Sequence, residues 1–345
     1  MRLPRLAGLF ALGLELALLG WGGCARADNP FGIMLAPLPG ESPDMTLARA
    51  RGLGIAWIRP PDIYLNRWNA AAPCPLCAVY RNSGLRIALV IKAQGQDWPS
   101  RKPSAPPADM TAYQTAVGTV LDAWKPVLLV VEAGENEAAT LQNPGAGYGD
   151  YLRELNAACA AAHARKMFCT NGGLSSRSVA AAYWLSLLGK GQTDQACDFA
   201  RRAFYSEKDP FAGQSLCVYQ SPKDVPDAVK GPILADADRL MALYRSAPLD
   251  VVNFHWFIHD ARALSQMVEY VTSATGKPVV SSEMGQWSWD AAQAHVRPLL
   301  RAAFAAQMQM VIWYSVESDN TAALFGGDGL LRPTGWEFQR QLRGK

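Results

Sequence analysis

Short apolar runs alternate with longer segments of helical periodicity along most of the chain. Phe31-Gly32-Ile33-Met34-Leu35 predicts a first strand, and Asp44 to Gly52 a helix. Ile55-Ala56-Trp57-Ile58-Arg59 predicts a second strand, ended by Pro60-Pro61. Leu85 to Ile91 is the third. A proline-rich loop at Pro103 to Pro107 leads into a helix from Asp109 to Trp124. Val127 to Val131 is the fourth strand. Leu152, Leu155, Cys159 and Ala162 then recur at helical spacing within Tyr148 to Arg165. Lys166 to Thr170 is a short fifth strand, closed by Asn171-Gly172-Gly173. Between about Gly189 and Pro232 the periodicity fails, which predicts an irregular excursion. Leu249 to His255, Pro278 to Ser282 and Met310 to Tyr314 complete eight strands. Helices are expected over Asp260 to Thr275, over Ala291 to Gln309 with a break or kink at Pro298, and from Pro333 onward.

Eight buried strands alternating with helices predict an α/β fold, a (β/α)₈ barrel. A doubly wound open sheet is the rival. It would usually carry a glycine-rich first turn, and no G-x-G-x-x-G follows Leu35. The chain reads as one domain over residues 28–345, with a cysteine-containing excursion between strands five and six.

In such a barrel the reactive groups stand where strands end. Two strands end in carboxylates. Val127 to Val131 runs into Glu132-Ala133-Gly134-Glu135-Asn136-Glu137, and Pro278 to Ser282 runs into Glu283-Met284-Gly285. A carboxylate at the end of an apolar strand is costly unless it has work to do. Two of them facing one another suit hydrolysis of a sugar bond. Arg59, His255 with Trp256, and Trp313 also fall at strand ends. Taken alone, Arg59 is more often a salt-bridge partner and His255 a satisfied core residue. Trp256, Trp287 and Trp313 divide evenly between core packing and sugar platform. Helix capping is the lesser reading of Glu137, and Glu132 and Glu135 read as supporting or surface groups.

Bulk properties narrow the field. Half of the 345 residues are hydrophobic, enough for a large core. The formal net charge of +3, with no basic run, gives no footprint for nucleic acid. Eleven tryptophans leave room for sugar-stacking rings beyond what the core needs. No cofactor motif and no metal-ligand spacing is present. His255 and His259 lie four apart, but no HExxH surrounds them, and the single CxxC has no second pair for zinc. No G-x-S-x-G elbow supports a serine hydrolase.

The N-terminus predicts an export signal over residues 1–27. Arg2 and Arg5 precede an apolar run from Leu6 to Leu19, and Ala25-Arg26-Ala27 gives an A-x-A cleavage site. The run is too short for a stable membrane span in the mature chain. Lipid anchoring at Cys24 is the alternative, but Trp21-Gly22-Gly23 matches a lipobox poorly. Cleavage leaves Cys74, Cys77, Cys159, Cys169, Cys197 and Cys217. An even number in an exported chain, periplasmic or extracellular, predicts disulfides. Proximity favours Cys74–Cys77, Cys159–Cys169 and Cys197–Cys217 among about 15 pairings.

The strand-end segments together resemble the clan A retaining glycoside hydrolases, in feel the family 39 and family 5 branches. Gly134-Glu135-Asn136-Glu137 resembles that clan's Asn-Glu signature on strand four. Lys277 to Gly285 is similar to its strand-seven nucleophile segment. Leu53 to Arg59 is similar to strand two, Phe254-His255-Trp256-Phe257 to strand six, and Trp313 to the strand-eight tryptophan. The likeness spans nearly the whole mature chain in short islands. Ala138 departs from the proline that often follows the signature, and Phe257 from a tyrosine often found on strand six. The resemblance implies Glu137 as acid/base and Glu283 as nucleophile. It implies Asn136 on a sugar 2-hydroxyl, Arg59 and His255 steering the site, and Trp256, Trp287 and Trp313 in substrate binding. The expected function is a metal-independent retaining hydrolase of β-linked glycosides or polysaccharide, with carbohydrate as its partner. A non-catalytic carbohydrate-binding barrel and a transglycosylase with the same glutamate pair are the alternatives.

Overall fold

The computed structural model describes residues 29–93, 106–132, 147–205, 216–314 and 322–343. The expected leader lies outside the described residues, as does the segment carrying Glu135, Asn136, Glu137 and Ala138.

Eight parallel strands form the barrel: β1 (Phe31–Met34), β2 (Trp57–Arg59), β3 (Arg86–Lys92), β4 (Leu128–Val131), β5 (Phe168–Asn171), β6 (Val252–Asn253), β7 (Val279–Met284) and β8 (Val311–Trp313). Their order is β5-β4-β3-β2-β1-β8-β7-β6, and a two-residue strand, Ile63–Tyr64, adds alongside β3. Between β5 and β6 the ladder thins to isolated contacts. Leu174 bridges Phe254, and the Asp250 N–H donates to the Cys169 carbonyl. The barrel is thus nearly closed, as the strand count predicts.

Buried amides bind that seam. Asn171 accepts from the Asn253 N–H at 2.7 Å and donates to the Asn253 carbonyl at 2.8 Å. Asn253 donates to the Gly172 carbonyl at 2.6 Å and to Ser282 Oγ at 2.7 Å, and accepts from the Ser282 N–H at 2.8 Å. Both asparagines are fully buried, so their amides supply the pairing that a two-residue β6 cannot.

Side-chain alternation divides the core in two. Trp57, Ala88, Val90, Leu128, Val130, Val280 and Ile312 fill the barrel interior. Ile58, Ile87, Leu89, Ile91, Leu129 and Val131 face the surrounding helices. Gly32 makes room for Trp57, because a Cβ there would sit 2.5 Å from the tryptophan Cβ.

Ten α-helices lie among the described residues: α1 (Pro43–Gly52), α2 (Pro75–Arg81), α3 (Met110–Trp124), α4 (Tyr148–His163), α5 (Ser176–Gly189), α6 (Thr193–Ala203), α7 (Asp227–Ser246), α8 (Ala261–Thr275), α9 (Gln293–Ala305) and α10 (Pro333–Arg343). Asp109 caps α3 by accepting from the N–H groups of Thr111 and Ala112. Asp260 caps α8, which ends on Gly276 in the left-handed region at φ 72°. α9 runs through Pro298 without ending there.

The expected irregular excursion is corrected in part. α6 and the start of α7 occupy it. Ala196, Phe199, Ala200 and Ala203 form a buried face at helical spacing, opposite a strongly polar one. The three favoured disulfides are all present, with Cα–Cα distances of 5.3, 5.3 and 4.5 Å in chain order. They fit an oxidising compartment. No helix among the described residues is long and apolar enough to cross a membrane.

Candidate active site

A β-bulge puts Glu283 in place. Ser281 pairs with Val311 and Met284 with Trp313, so β7 spends one residue more than β8 between the two registers. Strict alternation from Val280, an interior residue, would turn residue 283 toward the helices. The extra residue instead sends Met284 into the outer layer and leaves Glu283 at the barrel mouth. Backbone bonds fix the bulge: the Trp256 N–H donates to the Glu283 carbonyl at 2.8 Å, and the Gly285 N–H to the Trp256 carbonyl at 3.0 Å.

Glu283 opens into a cleft of about 470 Å³ at the C-terminal ends of the strands. Arg59, at the end of β2, donates from Nη1 to Glu283 Oε1 at 2.7 Å and to the Ser282 carbonyl at 3.1 Å. Its Nη2 reaches Asp62 at 3.0 Å and Glu132 at 3.6 Å. Lys92, at the end of β3, lies 2.9 Å from Asp62 and 3.0 Å from Glu132. Three carboxylates therefore share two cations, with the guanidinium at the centre and only 2% exposed.

His255 approaches Glu283 from the opposite side, with Nδ1 3.5 Å from Oε2. Its Nε2 lies 3.1 Å from the Gly172 carbonyl, which only accepts, so Nε2 carries a proton. Gly173 makes this packing feasible. Its φ is +134°, and a Cβ there would lie 2.2 Å from His255 Nε2. Glu283 thus has one oxygen held by Arg59 and a second beside the imidazole.

These neighbours set the charges. Burial pushes the Glu283 carboxyl up, but His255 and Arg59 outweigh it and hold the group below the usual carboxylate range. Asp62 is lowered in the same way, by Arg59 and Lys92 against burial. Glu132 goes in the other direction. Burial dominates there, reinforced by Asp62 and Glu283, and its carboxyl is raised despite Lys92 and Arg59. The site holds a firmly ionised carboxylate beside one that resists ionisation.

Phe257, Trp287, Gln286, Ser288, Met34 and Tyr314 form the rest of the wall. Phe257 packs on Trp287 with ring centroids 4.9 Å apart, and Trp287 stacks on Trp289 at 4.9 Å and 7°. Of the residues expected from sequence, the structure brings together Arg59, His255, Glu283 and Trp287. Trp256 and Trp313 are corrected. Both are fully buried, Trp256 against Phe254 and Trp313 against Phe338, and neither lines the cleft. The next residue in each case, Phe257 or Tyr314, stands in the wall instead. Glu137 and Asn136 lie outside the described residues. Glu132, expected as supporting or surface, is buried beneath the cleft. Asp62 and Lys92 were not singled out from sequence. Lys92 carries the signal that marked Arg59, a cation closing an apolar strand.

No family model matches this sequence, and no curated protein sequence does. Solved structures do resemble the fold. One is a family 39 glycoside hydrolase from Bacteroides cellulosilyticus WH2, at TM-score 0.54 and 13% identity, covering 90% of this chain and 63% of that one. Another is the exo-β-1,4-mannosidase Op5Man5 from Opitutaceae bacterium strain TAV5, at TM-score 0.56 and 13% identity, covering 92% and 60%. A third is the intracellular xylanase TsXylA from Thermoanaerobacterium saccharolyticum JW/SL-YS485, at TM-score 0.52 and 13% identity, covering 91% and 96%. The chain thus spans less than two thirds of the first two proteins. The likeness establishes a (β/α)₈ barrel of the shape these glycoside hydrolases use.

Proposed function

We propose that the protein is an exported retaining glycoside hydrolase acting on β-linked glycosides or polysaccharide. The observation that carries this reading is Glu283, presented by a bulge at the end of β7 and held ionised by Arg59 and His255 in an open cleft. The comparison proteins named as hydrolases of mannosides and xylan share the barrel, which supports the reaction class by analogy of fold.

Glu283 attacks the anomeric carbon, and the glycosidic C–O bond breaks as the leaving oxygen takes a proton from Glu137. Glu137 then deprotonates a water, which attacks the glycosyl ester and releases Glu283. A retaining enzyme needs the two carboxyls about 5–5.5 Å apart. Asn136 binds the 2-hydroxyl, and Trp287 offers its face to a sugar ring. Arg59 is a positioning residue that keeps Glu283 anionic.

The deciding experiment treats the protein with 2-fluoro glycosides of several sugars and locates the label by mass spectrometry. Label on Glu283 is expected, and the sugar that labels fastest names the substrate class. Glu137→Gln should lower turnover by on the order of 10²–10⁴-fold, and Glu283→Gln at least as far with binding retained. Label on another residue overturns the assignment. Sugar binding with no turnover in the wild type points to a binding barrel, and transfer to added acceptor sugars to a transglycosylase. N-terminal sequencing of secreted protein tests export, with the mature chain expected to start at Asp28.

A further inference from the structure

Beside the cleft, two loops and a helix end bring two imidazoles and a carboxylate together. His259 follows β6, Asp290 follows β7, and His295 lies in the first turn of α9. One ligand atom from each lies within 4.8 Å of the others. His259 Nδ1 contacts Asp290 Oδ2 directly, and the His259 and His295 rings stack 4.2 Å apart at 21°. Tyr205, just after α6, donates to the same Asp290 oxygen at 2.5 Å and lies 4.1 Å from the His259 ring. His295 Nδ1 is buried with no hydrogen-bond partner among the described residues.

We propose that His259, Asp290 and His295 bind a divalent transition-metal ion, with zinc the best match. Several observations converge on this. Two imidazole nitrogens and one carboxylate oxygen are a borderline donor set that suits zinc and excludes a calcium site, which would need six or more oxygens. Zinc bonds of about 2.0–2.1 Å place tetrahedral ligands about 3.3 Å apart, so the His259 and Asp290 atoms, now in direct contact, must part a little, while atoms as far as 4.8 Å from one another must draw together. The buried His295 Nδ1 is a polar atom with its lone pair or proton unspent, which a metal bond would satisfy. Tyr205 is the outer partner such sites use, orienting the carboxylate through a hydrogen bond. The fourth position falls to a water.

The place of the site gives it a role. Trp287 and Ser288 line the cleft and Trp289 stacks on Trp287, all directly before Asp290. Metal bonds to Asp290 after β7, His295 at the start of α9 and His259 after β6 would pin this aromatic segment to the β6 side of the mouth. The ion takes no part in the proposed hydrolysis, and the site stands whether or not that reading does.

The experiment strips the full-length protein with a chelator and titrates Zn²⁺ in competition with a chromophoric chelator. Co²⁺ substitution is followed by visible absorption. The expected result is one zinc per chain, an intense low-symmetry Co²⁺ spectrum, and a rise in melting temperature with Zn²⁺. His295→Gln and Asp290→Asn should abolish all three. Tyr205→Phe, which removes a hydroxyl and no ligand, should weaken zinc by about 10–100-fold and keeps the proposal testable should a ligand variant fail to fold. Folded, stripped wild type that takes up no stoichiometric Zn²⁺ overturns the proposal. So do ligand variants or Tyr205→Phe that bind as tightly as wild type.

Discussion

Replacing Arg59 with methionine removes the guanidinium that Glu283, Asp62 and Glu132 share. The side chain is 2% exposed and Glu283 16%, so water from the cleft replaces it only in part. Stripping one partner from a buried ion pair costs about 3–5 kcal/mol. Lys92 still faces Asp62 and Glu132 but does not contact Glu283. The expected loss for Arg59→Met is therefore at the lower end, about 3 kcal/mol at pH 7. Most of it should come from a stranded Glu283. Adding Glu283→Gln to Arg59→Met should then recover more than about 1 kcal/mol, within the usual coupling of contacting residues. The sign with pH follows. In the wild type the Glu283 carboxyl is lowered, so it stabilises above its unfolded pKa and that contribution disappears as pH falls through the folded pKa. Without Arg59 the carboxyl rises and opposes folding only where it is ionised, so the deficit should shrink toward pH 4. Urea denaturation of the four proteins of the cycle at pH 7 and pH 4 reads both effects. Strictly additive changes, or a deficit that grows on acidification, would refute the reasoning.

Gly173→Ala should lower the urea midpoint well beyond Gly191→Ala. Both glycines have positive φ, but only residue 173 would place a Cβ within 2.2 Å of the buried His255 ring, while Gly191 has open space around it. Equal midpoints would show that the imidazole yields freely. Glu41 accepts from Arg49 through both oxygens at 2.9 and 2.7 Å and from the Leu38 N–H at 2.9 Å, and Arg49 above all holds its carboxyl down at about 2. That stabilisation is complete above the ordinary carboxylate pKa of 4.5 and is lost as pH falls toward 2. Glu41→Gln should accordingly cost stability at pH 6 and much less at pH 2.5, read from thermal melts. A constant difference across that range counts against the assignment.

The strands were legible because each is a short apolar segment set between polar or turn residues. The helix that follows β5 is less legible for a physical reason. α5 is apolar on nearly every side, with Val179, Ala180, Ala181, Ala182, Trp184, Leu187 and Leu188 buried, so no stripe stands out. Arg59, His255 and Glu283 could be read because a charged group ending an apolar strand demands a partner. Trp256 and Trp313 could not be separated from Phe257 and Tyr314, since a shift of one residue reverses the face and sequence leaves that register open. The bulge at Glu283 is hidden for the same reason. The His259–Asp290–His295 cluster escapes any spacing rule because its members come from a loop after β6, a loop after β7 and the first turn of α9.

The pairing of β1 with both β2 and β8 constrains how the molecule is born. The first stave finds its second neighbour only after residue 311 has been synthesised. Until then a nascent chain exposes two unpaired margins, one on β1 and one on its newest strand, both open to intermolecular pairing. Fragments ending before Met310 should therefore self-associate, and whatever escorts the growing polypeptide must keep those margins apart until the ring is complete.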